Sequence, residues 1–171
     1  LLDMLPGNRV QLNPMLRDFL QQHFEDTDRN GYDAAVTVAT DWYEPALDFV
    51  RINAARAGVS VHTQLVAWRD PPPALLAAPF DLVIAADVLY EARNVAPLVA
   101  LIPQLCGPSG EVIIADPRRN DAQAFLDSMV LDGWSLASDD VTFNGRRDES
   151  GSTIHLHRLA PPGSSVGRSA I

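Results

Sequence analysis

Three aspartates in this chain have the type and placement to do chemistry. Asp41, Asp87 and Asp116 each close an apolar stretch that reads as a buried strand, at 34–40, 80–86 and 111–115. A carboxylate is costly to bury without a partner. A strand that ends on one therefore tends to present it at an edge. In open α/β sheets that edge, at the carboxyl ends of the parallel strands, is where ligands bind. An acid after the second strand suits a vicinal diol, two acceptor oxygens facing two hydroxyls. Asp is also a good helix cap. That reading is serious for Asp116, which Pro117 and Asn120 follow, and weaker for Asp41, because Glu44 is better placed to cap a helix starting at Pro45. Tyr90 stands three residues after Asp87, with Glu91 and Arg93 beside it. It also reads simply as a partly buried aromatic after a strand.

The elements that must position these groups alternate. The run 80–86 has no charge after Asp81 and no alternation, the pattern of a strand buried on both faces. The segment 34–40 is rich in β-branched residues, and 59–66 is a third strand. A first strand is expected at 1–5, followed by a turn at Pro6-Gly7-Asn8. Helices are expected at 14–25, where Asn13-Pro14 starts a stripe of apolar residues, and at 45–57, bracketed by Pro45 and Gly58. Others are expected at about 95–106, with a kink or early stop at Pro103, and from Asn120 to a stop at Gly133. Residues 107–110 read as a loop. Strands at 134–143 and 152–159 form a closing hairpin. This order predicts an α/β fold, a Rossmann-like, mostly parallel sheet ending in an antiparallel hairpin. One domain is expected over 1–160, with a Pro-, Gly- and Ser-rich tail, 161–171, that is disordered.

Composition narrows the partners. The formal net charge is −9, which argues against nucleic acid, whose phosphates need a basic face. It suits a basic protein segment or a cationic small molecule. No apolar run is long enough for a transmembrane helix, so no membrane partner is expected. Cys106 is the only cysteine; no disulfide can form within the chain, which fits a reducing cytoplasm. Because the first residue is Leu1, a natural N-terminal segment is expected to be missing. His155 and His157 share one strand face, but without a further ligand they read as a packed or polar face and no metal site is expected. No Gly-x-Gly-x-x-Gly is present, which argues against a nicotinamide dehydrogenase. No feature sets an oligomeric state.

Four segments carry a family resemblance. Thr40-Asp-Trp-Tyr-Glu-Pro-Ala-Leu-Asp-Phe-Val-Arg-Ile-Asn53, Ala67-Trp-Arg-Asp-Pro71, the stretch 80–94 and Gly110-Glu-Val-Ile-Ile-Ala-Asp-Pro-Arg118 resemble class I, seven-strand S-adenosylmethionine-dependent methyltransferases. The group they resemble is methyltransferase family 16, the nicotinamide-methylase-like protein lysine and N-terminal methylases. Asp87-Val-Leu-Tyr90 matches its Asp-x-x-Tyr motif. The resemblance implies a seven-stranded sheet with helices on both faces and S-adenosylmethionine as cofactor. It implies that Asp41 and Trp42 meet the ribose, Trp68 the adenine, and Ala86 the methionine part. Asp3 and Gly7 would form the first cofactor turn. Asp87 and Tyr90 would flank the target nitrogen, and Asp116 and Arg118 would face the substrate. The implied acceptor is a protein lysine or N-terminal amine, with a small amine as the alternative. A non-catalytic methyltransferase-like domain that binds a partner is the third reading. It draws on two departures. Leu5 and Arg9 stand where the family turn has glycine, and a side chain there crowds the backbone approach that glycine permits. Ala67 stands where many relatives carry an acid.

Overall fold

The computed structural model describes residues 2–5, 9–12, 38–143 and 152–166. The expected helix at 14–25 lies outside them. The described chain forms two compact units, Leu1–Asp70 and Pro71–Ile171.

In the first unit, β1 (Leu2–Leu5) pairs antiparallel with β2 (Arg9–Leu12), Asp3 opposite Gln11. Only residues 6–8 intervene. A parallel neighbour needs a crossover of a dozen or more residues, so the antiparallel pairing is the one available to so short a connection. Farther along, β3 (Val38–Asp41) and β4 (His62–Leu65) pair in parallel. Their crossover is α1 (Glu44–Ala57). Pro45 sits in its first turn, where a missing N–H costs nothing. Gly58 ends it at φ 71°. There the Gly58 N–H donates to the Ala55 carbonyl and the Val59 N–H to the Ala54 carbonyl, the paired bonds of a Schellman stop. Arg51 ties the helix together and to the strand. Its Nη1 reaches Glu44 at 2.9 Å and Asp48 at 2.7 Å, and its Nε donates to Thr63 Oγ1 at 2.7 Å.

The second unit is a four-stranded mixed sheet in the order β5-β6-β8-β7. β5 (Phe80–Ala86) runs parallel to β6 (Cys106–Asp116), through α2 (Val95–Leu105). β8 (Ser152–Ala160) lies antiparallel to both β6 and β7 (Ser135–Phe143). α3 (Ala122–Leu131) joins β6 to β7 and packs against α2. Phe125, Met129, Ile102, Val112, Ile113, Ile114 and Leu159 are fully enclosed. Each such side chain stabilises the fold by about 1.5–3 kcal/mol relative to exposure. α3 stops at Gly133, φ 87°, with the Trp134 N–H returning to the Met129 carbonyl at 3.0 Å.

Two expectations change here. The described strands do not form one seven-stranded sheet; they fall into a hairpin, a parallel pair and the four-stranded sheet. β6 also begins at Cys106, so residues 107–110 are strand rather than loop. Gly110 serves a close approach. A Cβ on Gly110 would lie 2.8 Å from the Cys106 sulfur and 2.9 Å from the Phe80 carbonyl oxygen. The register between β5 and β6 shifts at this point. Pro103 lies inside α2, which runs on to Leu105. Of the tail, residues 161–166 are described. Ser164 accepts a bond from Ser135 Oγ and donates one to the Pro108 carbonyl, each at 3.0 Å.

Candidate active site

β5 delivers Asp87. Its N–H still donates to the Ala115 carbonyl of β6 at 2.9 Å, but its own φ is +50°. That left-handed turn is one that Asp tolerates better than most residues, and it swings the chain out of the sheet. Leu89 then anchors the following loop in the core, and Tyr90 is left 40 % exposed. Asn94 fixes the far end. Its buried side chain donates from Nδ2 to the Val88 carbonyl at 3.0 Å and makes no bond to the start of α2. It therefore clamps the Asp87–Tyr90 loop rather than capping α2.

β6 delivers Asp116 beside it. Asp116 is only 3 % exposed. Both its carboxylate oxygens accept the Arg119 N–H, at 3.1 and 3.0 Å. Asp116 thus holds the turn that follows β6 and does not cap α3, whose N-cap position, Asp121, makes no side-chain cap bond. The guanidinium of Arg119 then turns to Asp87, Nε to Oδ1 at 2.7 Å and Nη2 to Oδ2 at 2.8 Å. This carboxylate raises the Arg119 pKa above its ordinary value, with its hydrogen bond as the main cause. Arg118, the arginine expected beside the substrate, adopts φ +68°. Its Nη2 stands 3.7 Å from Asp140 of β7. The arginine that meets Asp87 is therefore the immediate neighbour of the expected one. Sequence carried the signal of two adjacent arginines after Asp116-Pro117, without saying which turns inward.

Behind Asp116, His155 Nδ1 pairs with Asp140 Oδ1 at 2.5 Å. The His155 ring stacks on His157, centroids 5.9 Å apart. His157 Nδ1 bonds Ser138 Oγ at 2.8 Å. Burial pushes His157 below its ordinary pKa, reinforced by His155 and opposed by Asp116 and Asp140. Among the described residues no cluster of His, Cys, Asp or Glu could hold a metal ion.

In the first unit, Asp41 ends β3. Its Oδ1 accepts the Tyr43 N–H at 2.8 Å, and among the described residues no partner is shown for Oδ2. Tyr43 precedes α1 without a side-chain cap, and Glu44 turns to Arg51. Trp42 is 60 % exposed, its ring 5.8 Å from that of Tyr43. Trp68 lies half-buried in the turn 67–70, where the Asp70 N–H meets the Ala67 carbonyl at 2.9 Å. Asp3 is placed in the β1–β2 hairpin, and Gly7 lies outside the described residues. Ala86 is the last residue of β5. The donor set at the end of β3 fits the nucleoside half of S-adenosylmethionine: a carboxylate whose Oδ2 has no partner among the described residues, and an exposed indole beside it for stacking.

Parallel strands joined by helices, with acids at their carboxyl ends, define an α/β protein of the Rossmann-like methyltransferase class. Similar folds are found in the N-methyltransferase NodS from Bradyrhizobium japonicum WM9 in complex with S-adenosyl-L-homocysteine (TM-score 0.57, 16 % identity, 74 % of this chain and 67 % of that one) and in a putative methyltransferase from Thermoplasma acidophilum (TM-score 0.62, 11 % identity, 89 % and 66 %). Residues 27–131 match methyltransferase family 16, the lysine methyltransferases, and the chain belongs to that S-adenosylmethionine-dependent family. Among curated proteins it is similar to the ribosomal protein L11 methyltransferases of Serratia proteamaculans strain 568 (34 % identity, 67 % of this chain) and Escherichia coli strain SMS-3-5 (34 % identity, 58 % of this chain). It spans 38 % and 33 % of the length of those relatives.

Proposed function

We propose that this chain methylates a protein amine, a lysine side chain, with S-adenosylmethionine as donor. The carrying observation is the Asp87–Tyr90 motif at the end of β5, projected from the sheet by a left-handed aspartate and clamped by Asn94. The family match and the names of the L11 methyltransferase relatives support a protein acceptor.

The cofactor supplies a methyl group already activated on a sulfonium. What remains for the protein is alignment, the contribution in which proximity counts most. Asp41 would hold the ribose hydroxyls and Trp42 would lie beside them. Asp87 would orient the incoming nitrogen, and the hydroxyl of Tyr90 would hydrogen-bond to it. A carboxylate favours the ammonium form, so proton loss has to precede or accompany attack.

The test is transfer of a labelled methyl group from S-adenosylmethionine to a cell lysate. Labelled protein bands whose label survives mild base and is recovered as methyl-lysine after hydrolysis support the reading; label confined to small products sinks the protein acceptor. The antiparallel β1–β2 hairpin favours a second reading, a methyltransferase-like domain with an impaired cofactor site. Calorimetry separates the two, because tight S-adenosylmethionine binding contradicts an impaired site.

A further inference from the structure

We infer that Arg119 is a specificity-determining residue, closing Asp87 to neutral acceptors and yielding it only to a group that brings its own positive charge. The inference rests on the methyl-transfer reading of Asp87 and deepens it by requiring that the acceptor arrive as a cation, a lysine-type ammonium.

Both oxygens of Asp87 already accept hydrogen bonds from one guanidinium. The side chain of Asp87 is 10 % exposed and that of Arg119 45 % exposed, so the solvent side of the pair is the guanidinium. A neutral hydroxyl or amide offers hydrogen bonds roughly half as strong as these charge-assisted ones and cannot replace them. An ammonium can, because it restores the charge that Arg119 withdraws. The displaced guanidinium, 45 % exposed, gains hydration without leaving the neighbourhood of the carboxylate.

The backbone makes this exchange a local one. The Arg119 N–H is held by both oxygens of buried Asp116, so only the long side chain has to move. The displaced cation then stays close to the one that replaced it. Two cations beside one carboxylate disfavour both charges, and of the two only the ammonium can release its proton, because guanidinium does not deprotonate in proteins. The proton passes to bulk water and leaves a neutral amine. Arg119 would thus first select for a cation and then help to discharge it, which resolves the conflict between orienting the nitrogen and freeing its lone pair.

The experiment titrates Nα-acetyl-lysine methylamide, and its neutral isostere Nα-acetyl-norleucine methylamide, into the protein and into Arg119→Ala, followed by proton–nitrogen NMR. In the unaltered protein the lysine probe should return the Arg119 Nε–H signal to the position and exchange rate of a free arginine; the norleucine probe should not. Arg119→Ala should bind the lysine probe about tenfold tighter, the value of one charge-assisted competitor, and the norleucine probe no better. Equal affinity of the two proteins for the lysine probe, no measurable binding by either, or binding that leaves the Nε–H signal unmoved, overturns the inference. If Arg119→Ala does not fold, the Nε–H signal of the unaltered protein decides. None of these measurements needs a methyl donor. Displacement without any methyl transfer would therefore keep the cation specificity and remove the methylation reading, whereas transfer with Arg119 unmoved would do the reverse.

Discussion

Arg119 grips Asp87 through two parallel bonds, Nε to Oδ1 at 2.7 Å and Nη2 to Oδ2 at 2.8 Å. The pair joins the ends of the two parallel strands of the second unit, and it puts a cation on the carboxylate that the methyl-transfer reading needs. Asp87→Asn keeps the shape of the side chain, and Asn also tolerates φ near +50°. The fold should survive, with an unchanged circular dichroism spectrum. Methyl transfer should fall by about 100-fold or more, the cost of losing alignment at the reacting centre. Full activity in this variant would remove Asp87 from its role.

Asn94 gives a prediction of a different kind. Its Nδ2 donates to the Val88 carbonyl from a buried position. Asn94→Ala deletes the donor and leaves that carbonyl without its partner, which costs about 1–3 kcal/mol. The melting temperature should drop by several degrees, at roughly 2–4 °C per kcal/mol for a chain of this size. Hydrogen exchange should quicken at the amides of Val88–Tyr90 more than elsewhere in the sheet. Uniform quickening over the whole unit would argue that Asn94 merely supports the core.

What the sequence made legible followed from patterns that act locally. The apolar run of β5, the Pro45–Gly58 bracket of α1 and the Gly133 stop of α3 each depend on neighbours within a few residues, and each element is where the pattern predicts it. The misses depend on distant neighbours. Gly107 and Gly110 carry the composition of a loop, yet they lie in a strand, and at Gly110 β5 approaches too closely for a side chain. Arg118 and Arg119 are equivalent in a string of letters. The positive φ of Arg118 and the grip of Asp116 on the Arg119 N–H decide which one turns to Asp87. The Asp-x-x-Tyr motif was readable, but the cation lying on it was not.

Gly110 offers a test of that close approach. A Cβ there would meet the Phe80 backbone oxygen at 2.9 Å and the Cys106 sulfur at 2.8 Å. The sulfur can turn aside, but the carbonyl belongs to the neighbouring strand. Gly110→Ala should therefore destabilise the second unit by about 1–3 kcal/mol, the usual cost of overpacking. Adding Cys106→Ala would relieve only the sulfur contact. If that double variant recovers full stability in urea unfolding, the strand backbone is not the obstacle.

Asp41 carries the cofactor prediction. An acid with one oxygen held by the Tyr43 N–H keeps its orientation, and among the described residues the other has no partner that would compete with a diol. Asp41→Ala would lose both that turn bond and the charged acceptor. Hydrogen bonds to charged groups are worth about 1.5–3 kcal/mol, so S-adenosylmethionine affinity should fall by roughly 10- to 100-fold. Calorimetry on Asp41→Asn, which keeps an acceptor for Tyr43, separates the two losses. A variant with normal affinity would show that the ribose is held elsewhere.

His157 sets a pH dependence whose sign can be worked out. Burial lowers its pKa below the ordinary 6.5, with Asp116 and Asp140 pulling the other way and His155 adding to the lowering. In the unfolded chain the imidazole takes up a proton near its ordinary value. Between the two values the unfolded state therefore binds more protons than the folded one, and stability rises with pH in that window. The contribution of His157 is complete above about pH 6.5 and is lost as the pH falls toward the folded value. His157→Gln leaves a partner for Ser138 Oγ, which now bonds Nδ1 at 2.8 Å, and removes the titration. The urea midpoint of the unaltered protein should fall faster than that of the variant as the pH is lowered below 6.5. Parallel curves would mean that His157 titrates alike in both states, so that its burial between Ser138 and His155 carries no linkage to folding.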